Sequence, residues 1–108
     1  IWIIRDGKIE ETKPDKQAIG KTDNPKPFKT HNFELNKGDL IYIFTDGFQD
    51  QFGGDKGKKF KLANFKKLLL SIHNEKMEKQ FKIINNSFEE WRGNQDQVDD
   101  ICIIGVRI

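Results

Sequence analysis

Two groups of acidic residues are the strongest candidates for chemistry in this sequence. Asp46 follows the apolar segment Leu40–Phe44, and the pair Asp99-Asp100 immediately precedes the apolar segment Ile101–Val106. Each apolar segment has the length and composition of a β-strand. If the two strands pair in antiparallel fashion, the end of one lies about 5 Å from the start of the other. Asp46 and Asp99 would then lie at the same end of the sheet.

Two neighbouring carboxylates repel each other unless a cation or a shared proton lies between them. Oxygen ligands favour Mg²⁺, Mn²⁺ or Ca²⁺ over zinc. An Asp-Gly dipeptide is also a common turn, and Asp6-Gly7 in this chain has the pattern of a simple hairpin turn. The spacing therefore leaves open both a metal site at Asp46 and Asp99 and two ordinary polar loops.

Other chemically active residue types lack the partners that they require. The glycine-rich segment 53–59 departs from the spacing of a phosphate-binding loop, because no glycine lies five residues before Gly57. We therefore interpret it as a surface loop. His31 and His73 have no second ligand at metal-binding spacing, and no serine lies in a nucleophile motif. With Cys102 as the single cysteine, an internal disulfide and a cysteine-based zinc site are both excluded.

Composition limits the class of protein. The chain has 108 residues, enough for one small domain, with 19 basic and 17 acidic side chains and a net charge of +2. This balance argues against nucleic acid or a membrane surface as a partner. No apolar segment approaches the roughly 20 residues that span a bilayer. Because no signal peptide is visible in these residues and we expect Cys102 to be a buried thiol in an apolar strand, the expected location is the cytoplasm.

The first half of the chain predicts mainly strands. Ile1–Thr12 has the pattern of a β-hairpin that turns at Asp6-Gly7, and the proline-containing segment 13–30 predicts a long irregular connection. Alternation of apolar residues predicts a strand over His31–Leu35. The continuous apolar segment Leu40–Phe44 predicts a strand that is buried on both faces.

The second half predicts two helices before the last strand. Apolar residues recur at helical spacing over Leu62–Ile72 and Met77–Trp91, with Asn74 as the N-cap of the second helix and Gly93 at its end. Strands and helices occur in blocks, which favours an α+β fold with a mainly antiparallel β-sheet and the helix pair on one face. Since the chain begins inside a strand without an initiator Met, we expect it to be part of a longer protein.

Two segments resemble the motifs of a known phosphatase family. Lys37–Phe48 joins Lys-Gly-Asp, an apolar strand and Thr-Asp-Gly-Phe, and Val98–Ile104 places two aspartates before an apolar strand. Both resemble blocks of the bacterial serine/threonine phosphatases of the stage II sporulation protein E type, in the metal-dependent protein phosphatase 2C superfamily. Gln51–Gly54 is similar to the segment that follows the first block. The resemblance covers essentially all 108 residues.

This resemblance implies a fold, a reaction and a set of ligands. The family fold is a sandwich of two antiparallel sheets flanked by helices, and residues 1–108 would be the C-terminal half of it. A water bridging Mn²⁺ or Mg²⁺ ions attacks phosphoserine or phosphothreonine in this family. By position, Asp46 and Asp99 match metal ligands, whereas Asp100 does not. The first acidic block of the family is missing here, so this segment alone is expected to be inactive.

Three functional hypotheses follow. The first is part of a protein phosphatase in a bacterial signalling protein, acting on a phosphoprotein of the anti-sigma antagonist-like class, as in sigma factor regulation. The second is a non-catalytic phosphatase-like module for protein interaction, and acidic ligands upstream of Ile1 would distinguish the two. A phospho-acceptor Asp46, as in receiver domains, is disfavoured because receivers alternate strand and helix. The exposed sheet edge or face that half a sandwich would leave also predicts a homodimer.

Overall fold

The computed structural model describes residues 1–108 as a four-stranded antiparallel sheet, a short hairpin and two helices. The elements are β1 (Trp2–Arg5), β2 (Lys8–Glu11), β3 (Leu40–Phe44), β4 (Phe52–Gly53), β5 (Lys58–Lys59), α1 (Leu62–Ile72), α2 (Met77–Arg92) and β6 (Ile103–Arg107). The sheet has the strand order β2-β1-β3-β6, and β4 pairs only with β5. The predicted α+β class with an antiparallel sheet is confirmed. Neither helix is long and apolar enough to cross a membrane.

The first two strands form the predicted hairpin. Asp6 and Gly7 have φ angles of 52° and 70°, and a type I′ turn requires positive φ at both central residues. The other edge of β1 pairs with β3, where Trp2 lies opposite Tyr42. The second strand therefore occupies one edge of β1 and the third strand occupies the other.

The strand predicted over His31–Leu35 is wrong, because this segment has no regular secondary structure. Both edges of β1 are already occupied, so the segment finds no strand partner there. A side chain holds it instead: the Arg5 guanidinium donates to the Glu34 carbonyl at 2.8 Å. The segment also pairs with neither edge strand of the sheet, β2 or β6, so alternating apolar residues alone are not sufficient for a strand.

One face of the sheet and both helices enclose the core. Trp2, Leu40 and Tyr42 are each at most 2% exposed on the sheet side. The helices contribute the apolar stripes that their spacing predicts, and only Phe81 of these stripes is largely exposed, at 71%. The predicted helix pair on one face is thus confirmed. The buried helical residues of this core are Phe65, Leu69, Ile72, Ile84 and Phe88.

The opposite face of the sheet is apolar and partly exposed. Ile43 and Ile104 lie opposite each other in β3 and β6, and each is 52% exposed. The prediction that Leu40–Phe44 is buried on both faces is therefore wrong, since only one face is covered. We define the outer face as the two residue pairs that β3 and β6 place on this side of the sheet, namely Ile41 with Val106 and Ile43 with Ile104.

Two local predictions are also wrong. Cys102 is exposed, because strand alternation that turns Ile101 and Ile103 towards the core turns the residue between them outward. Asn74 does not cap the second helix, which begins at Met77 without a side-chain cap, because the turn between the helices extends further along the chain. Gly93 ends this helix as predicted, with a φ of 53°.

Candidate metal site

The end of β3 and the start of β6 are adjacent. The two strands pair over their whole length, and the Thr45 amide extends the ladder by donating to the Cys102 carbonyl at 3.0 Å. Asp46 follows Thr45 directly, and Asp99 lies three residues before Cys102. The structure therefore brings the segments that carry these two aspartates together at one end of the sheet.

Thr45 and Gly47, the two neighbours of Asp46, hold the end of β3 against the start of β6. We call this contact region the junction of β3 and β6. The Thr45 hydroxyl accepts a hydrogen bond from the Cys102 amide at 3.1 Å and donates to the Asp100 carbonyl at 3.2 Å. Gly47 lies so close that a Cβ atom there would be 2.3 Å from the Asp100 carbonyl oxygen. Only glycine permits this approach, so Gly47 allows the two segments to pack against each other.

A single turn follows the strand and anchors the backbone of Asp46. The Asp50 amide donates to the Asp46 carbonyl at 3.0 Å. Phe48, within the turn, is 1% exposed and its ring stacks on that of Phe65 in the core. Asp46 itself is exposed. Its carboxylate is thus accessible to solvent while its backbone is held by the sheet and the core.

Asp99 lies in the polar loop 94–100 between α2 and β6. Its Oδ1 accepts a hydrogen bond from the Asp100 amide at 2.7 Å, and its carbonyl accepts one from the Gln97 side chain at 2.9 Å. Asp99 also lines a shallow, open depression with its neighbours in this loop. The hydrogen bond from the Asp100 amide orients the Asp99 carboxylate, and Oδ2 of Asp99 has no partner in the chain.

Neither candidate aspartate has a basic partner. The five ion pairs of the chain include neither Asp46 nor Asp99, whereas nearby Asp50 pairs with Lys59 at 3.8 Å. Carboxylate oxygens are ligands that suit Mg²⁺ or Mn²⁺. No group of three or more His, Cys, Asp or Glu side chains comes together in the chain. By their ligand chemistry, Asp46 and Asp99 could supply part of a metal site, but these residues alone do not form a complete one.

The other motifs do not join this site. The glycine-rich segment forms the β4–β5 hairpin, and a Cβ atom at Gly53 would be 1.8 Å from the Trp91 carbonyl oxygen. This glycine therefore serves close packing on α2. The lysines of the hairpin are exposed, and Lys59 lies 5.8 Å from the centre of the Phe52 ring.

Gln51 is the residue of this region that the sequence reasoning missed as an individual position. It is 0% exposed, and its side chain donates to the Asp96 carbonyl at 2.8 Å. Glutamine is usually a surface residue, so its type gives no indication of burial. In the sequence, the segment Gln51–Gly54 is distinguished only by its resemblance to the family.

The sequence matches a family model, and the fold matches a solved structure. The family Stage II sporulation protein E (SpoIIE) matches residues 1–108. Among solved structures, the SiaA-PP2C domain of Pseudomonas aeruginosa is similar, with a TM-score of 0.85 and 29% sequence identity. The match covers 99% of this chain and 42% of the SiaA-PP2C chain. This chain therefore spans less than half the length of that solved structure. No curated protein matches the sequence.

Proposed function

Because the chain belongs to the Stage II sporulation protein E (SpoIIE) family, we propose that residues 1–108 are the C-terminal half of a phosphatase 2C-like domain that is metal-dependent. At the level of the family, the activity is that of a protein serine/threonine phosphatase. The observation that carries the metal dependence is the junction of β3 and β6. There, Asp46 and Asp99 lie on adjacent segments, exposed and without basic partners.

Each residue at this junction would have a different role in the site. A bound Mn²⁺ or Mg²⁺ supplies Lewis-acid chemistry for the hydrolysis of a phosphate ester by water. Asp46 and Asp99 would hold the ion through their carboxylates. Thr45 and Gly47 keep the two segments in contact, and the Asp100 amide orients the carboxylate of Asp99.

Two carboxylates are too few for a tight site, since Mg²⁺ keeps its waters unless several ligands converge. We therefore place the remaining ligands in the rest of the domain and expect residues 1–108 alone to be inactive. The substrate would be a phosphoserine or phosphothreonine of a cytoplasmic signalling phosphoprotein, of the anti-sigma antagonist-like class.

A second candidate function is a non-catalytic phosphatase-like module. The outer face favours it, because Ile43 and Ile104 are each about half exposed and exposed apolar patches are typical of protein–protein contacts. This candidate predicts binding of a partner without hydrolysis, and the acidic ligands elsewhere in the domain would then be absent.

The proposed function is tested with a longer protein, namely the whole domain of which we propose that residues 1–108 are half. We expect Mn²⁺-dependent hydrolysis of a phosphoserine peptide, and Asp46→Asn should lower it at least about 100-fold, since even residues that only support a metal ligand contribute 10–100-fold. The control Asp55→Asn removes the same charge from an exposed hairpin turn and should retain activity. Equal rates for wild type and Asp46→Asn would remove Asp46 from the mechanism. Inactive wild-type protein would favour the non-catalytic module.

A further inference from the structure

A buried glutamine connects the two segments that carry Asp46 and Asp99. Gln51 lies five residues after Asp46 and is 0% exposed. Its side chain reaches the loop 94–100, where Nε2 donates to the Asp96 carbonyl at 2.8 Å and Oε1 accepts from the Val98 amide at 3.4 Å. Both ends of one amide group thus hold the loop that leads to Asp99.

The position of Gln51 is itself fixed by the helix layer. Its carbonyl accepts hydrogen bonds from the Trp91 indole at 2.8 Å and from the Phe60 amide at 3.0 Å. Its Nε2 makes a further bond to the Phe52 carbonyl at 3.0 Å. Rotation of the side chain would break three hydrogen bonds in a buried environment, so the amide is a rigid support.

The loop has few other attachments to the rest of the protein. All residues of 94–100 are exposed, so apolar packing contributes little to their position. At the start of the loop, the Arg92 side chain donates a hydrogen bond to the Gln95 carbonyl. At its end, the Thr45 hydroxyl donates one to the Asp100 carbonyl. Between these ends, no hydrogen bond other than those of Gln51 joins residues 96–98 to a residue outside the loop.

We propose that Gln51 is a positioning residue for the candidate metal site, holding residues 96–98 so that the segment carrying Asp99 stays against the segment carrying Asp46. The inference rests on the proposed function. Outer residues that orient metal ligands typically contribute 10–100-fold to metal affinity. An apolar side chain of similar size would fill the space without fixing the loop.

The chain provides a matched control in Gln80. It is 1% exposed, and its side chain also bridges elements, accepting from the Tyr42 hydroxyl and donating to the Glu75 carbonyl at 2.9 Å. Gln80 and Trp91 are eleven residues apart on α2, which corresponds to about 16 Å along the helix. Gln51→Leu and Gln80→Leu therefore remove comparable buried hydrogen bonds near to and far from the site.

The experiment measures the Mn²⁺ dissociation constant of the longer protein by calorimetry. We expect Gln51→Leu to raise it about 10–100-fold and Gln80→Leu to leave it unchanged. The phosphatase kcat of Gln51→Leu at saturating Mn²⁺ should return close to that of wild type, because both ligands are intact. Hydrogen exchange of the loop 94–100 should accelerate in Gln51→Leu alone. If Gln51→Leu does not fold, Gln51→Asn keeps an amide that is one carbon too short to reach the loop, with the same expectations.

An unchanged dissociation constant in Gln51→Leu, or an equal rise in Gln80→Leu, would overturn the role of Gln51 while leaving the proposed function intact. A wild-type protein that neither binds Mn²⁺ nor hydrolyses the phosphoserine peptide would overturn both. The two failures are therefore distinguishable in the same set of measurements.

Discussion

Three consecutive residues make different contributions to the candidate site. They are Thr45, Asp46 and Gly47. Thr45 joins the two segments through its hydroxyl, Asp46 offers an exposed carboxylate, and Gly47 leaves room for the Asp100 carbonyl. The Thr-Asp-Gly motif therefore has a physical basis in this fold: a hydrogen bond, an exposed carboxylate and room for a neighbouring carbonyl group. Its glycine is required for packing and is not among the residues with positive φ.

Replacing Gly47 with Ala should destabilise the protein. The added Cβ would lie 2.3 Å from the Asp100 carbonyl oxygen, so the two segments must move apart. Overpacking of this kind typically costs about 1–3 kcal/mol of unfolding free energy. Urea unfolding of wild type and Gly47→Ala measures the difference. A variant as stable as wild type, with unchanged Mn²⁺ affinity, would show that the close approach has no role.

At the scale of elements, an ion pair connects the first hairpin to the start of β3. Asp39 is 3% exposed and accepts hydrogen bonds from the Arg5 guanidinium, at 2.6 Å for the shortest, and from the Asn36 amide at 2.7 Å. The bond from Arg5, followed by that from Asn36, lowers the pKa of Asp39 below its ordinary value of 3.8. These bonds hold the end of the irregular connection against the sheet.

This pair predicts a specific dependence of stability on pH. Because the folded state lowers the pKa of Asp39, the stabilisation is complete above the unfolded value near 3.8 and is lost as the pH falls through the folded value. Asp39→Asn should therefore be less stable than wild type at pH 7, and the difference should shrink in acid. Denaturant unfolding at several pH values tests this, and parallel stability curves for the two proteins would contradict it.

The elements that the sequence predicts correctly depend on local interactions. The turn at Asp6-Gly7 and the two helices follow from dihedral preference and from helical spacing, which few neighbouring residues determine. The strand predicted over His31–Leu35 is wrong, because strand formation depends on pairing with a distant part of the chain, and this segment pairs with no strand of the sheet. That the segments carrying Asp46 and Asp99 are adjacent follows from antiparallel pairing of β3 and β6, whereas the burial of Gln51 depends on contacts with α2 and with the loop 94–100.

At the scale of the whole molecule, the sheet has one covered face and one apolar face that is partly open. The helices cover Trp2, Leu40 and Tyr42, while Ile43 and Ile104 of the outer face remain half exposed. The last strand, β6, is also an edge strand with one unpaired side. We propose that a second copy of the chain covers this surface when residues 1–108 are produced alone.

Sedimentation of residues 1–108 should accordingly show a dimer that forms with rising concentration. The double variant Ile43→Lys and Ile104→Lys should remain monomeric, because two charges on the outer face would lose water on association. Phe81→Lys places a charge at an apolar position of α2 that is 71% exposed and should still dimerise. A wild-type chain that stays monomeric, or equal loss of the dimer in Phe81→Lys, would contradict the assignment of this face.

We propose that Asp46 and Asp99 bind the same divalent ion. The most direct measurement is anomalous scattering from crystals of the longer protein grown with Mn²⁺. We predict a manganese peak within coordination distance of a carboxylate oxygen from each aspartate, and loss of that peak in Asp46→Asn. A peak that touches neither aspartate, or one that persists unchanged in Asp46→Asn, would contradict the claim.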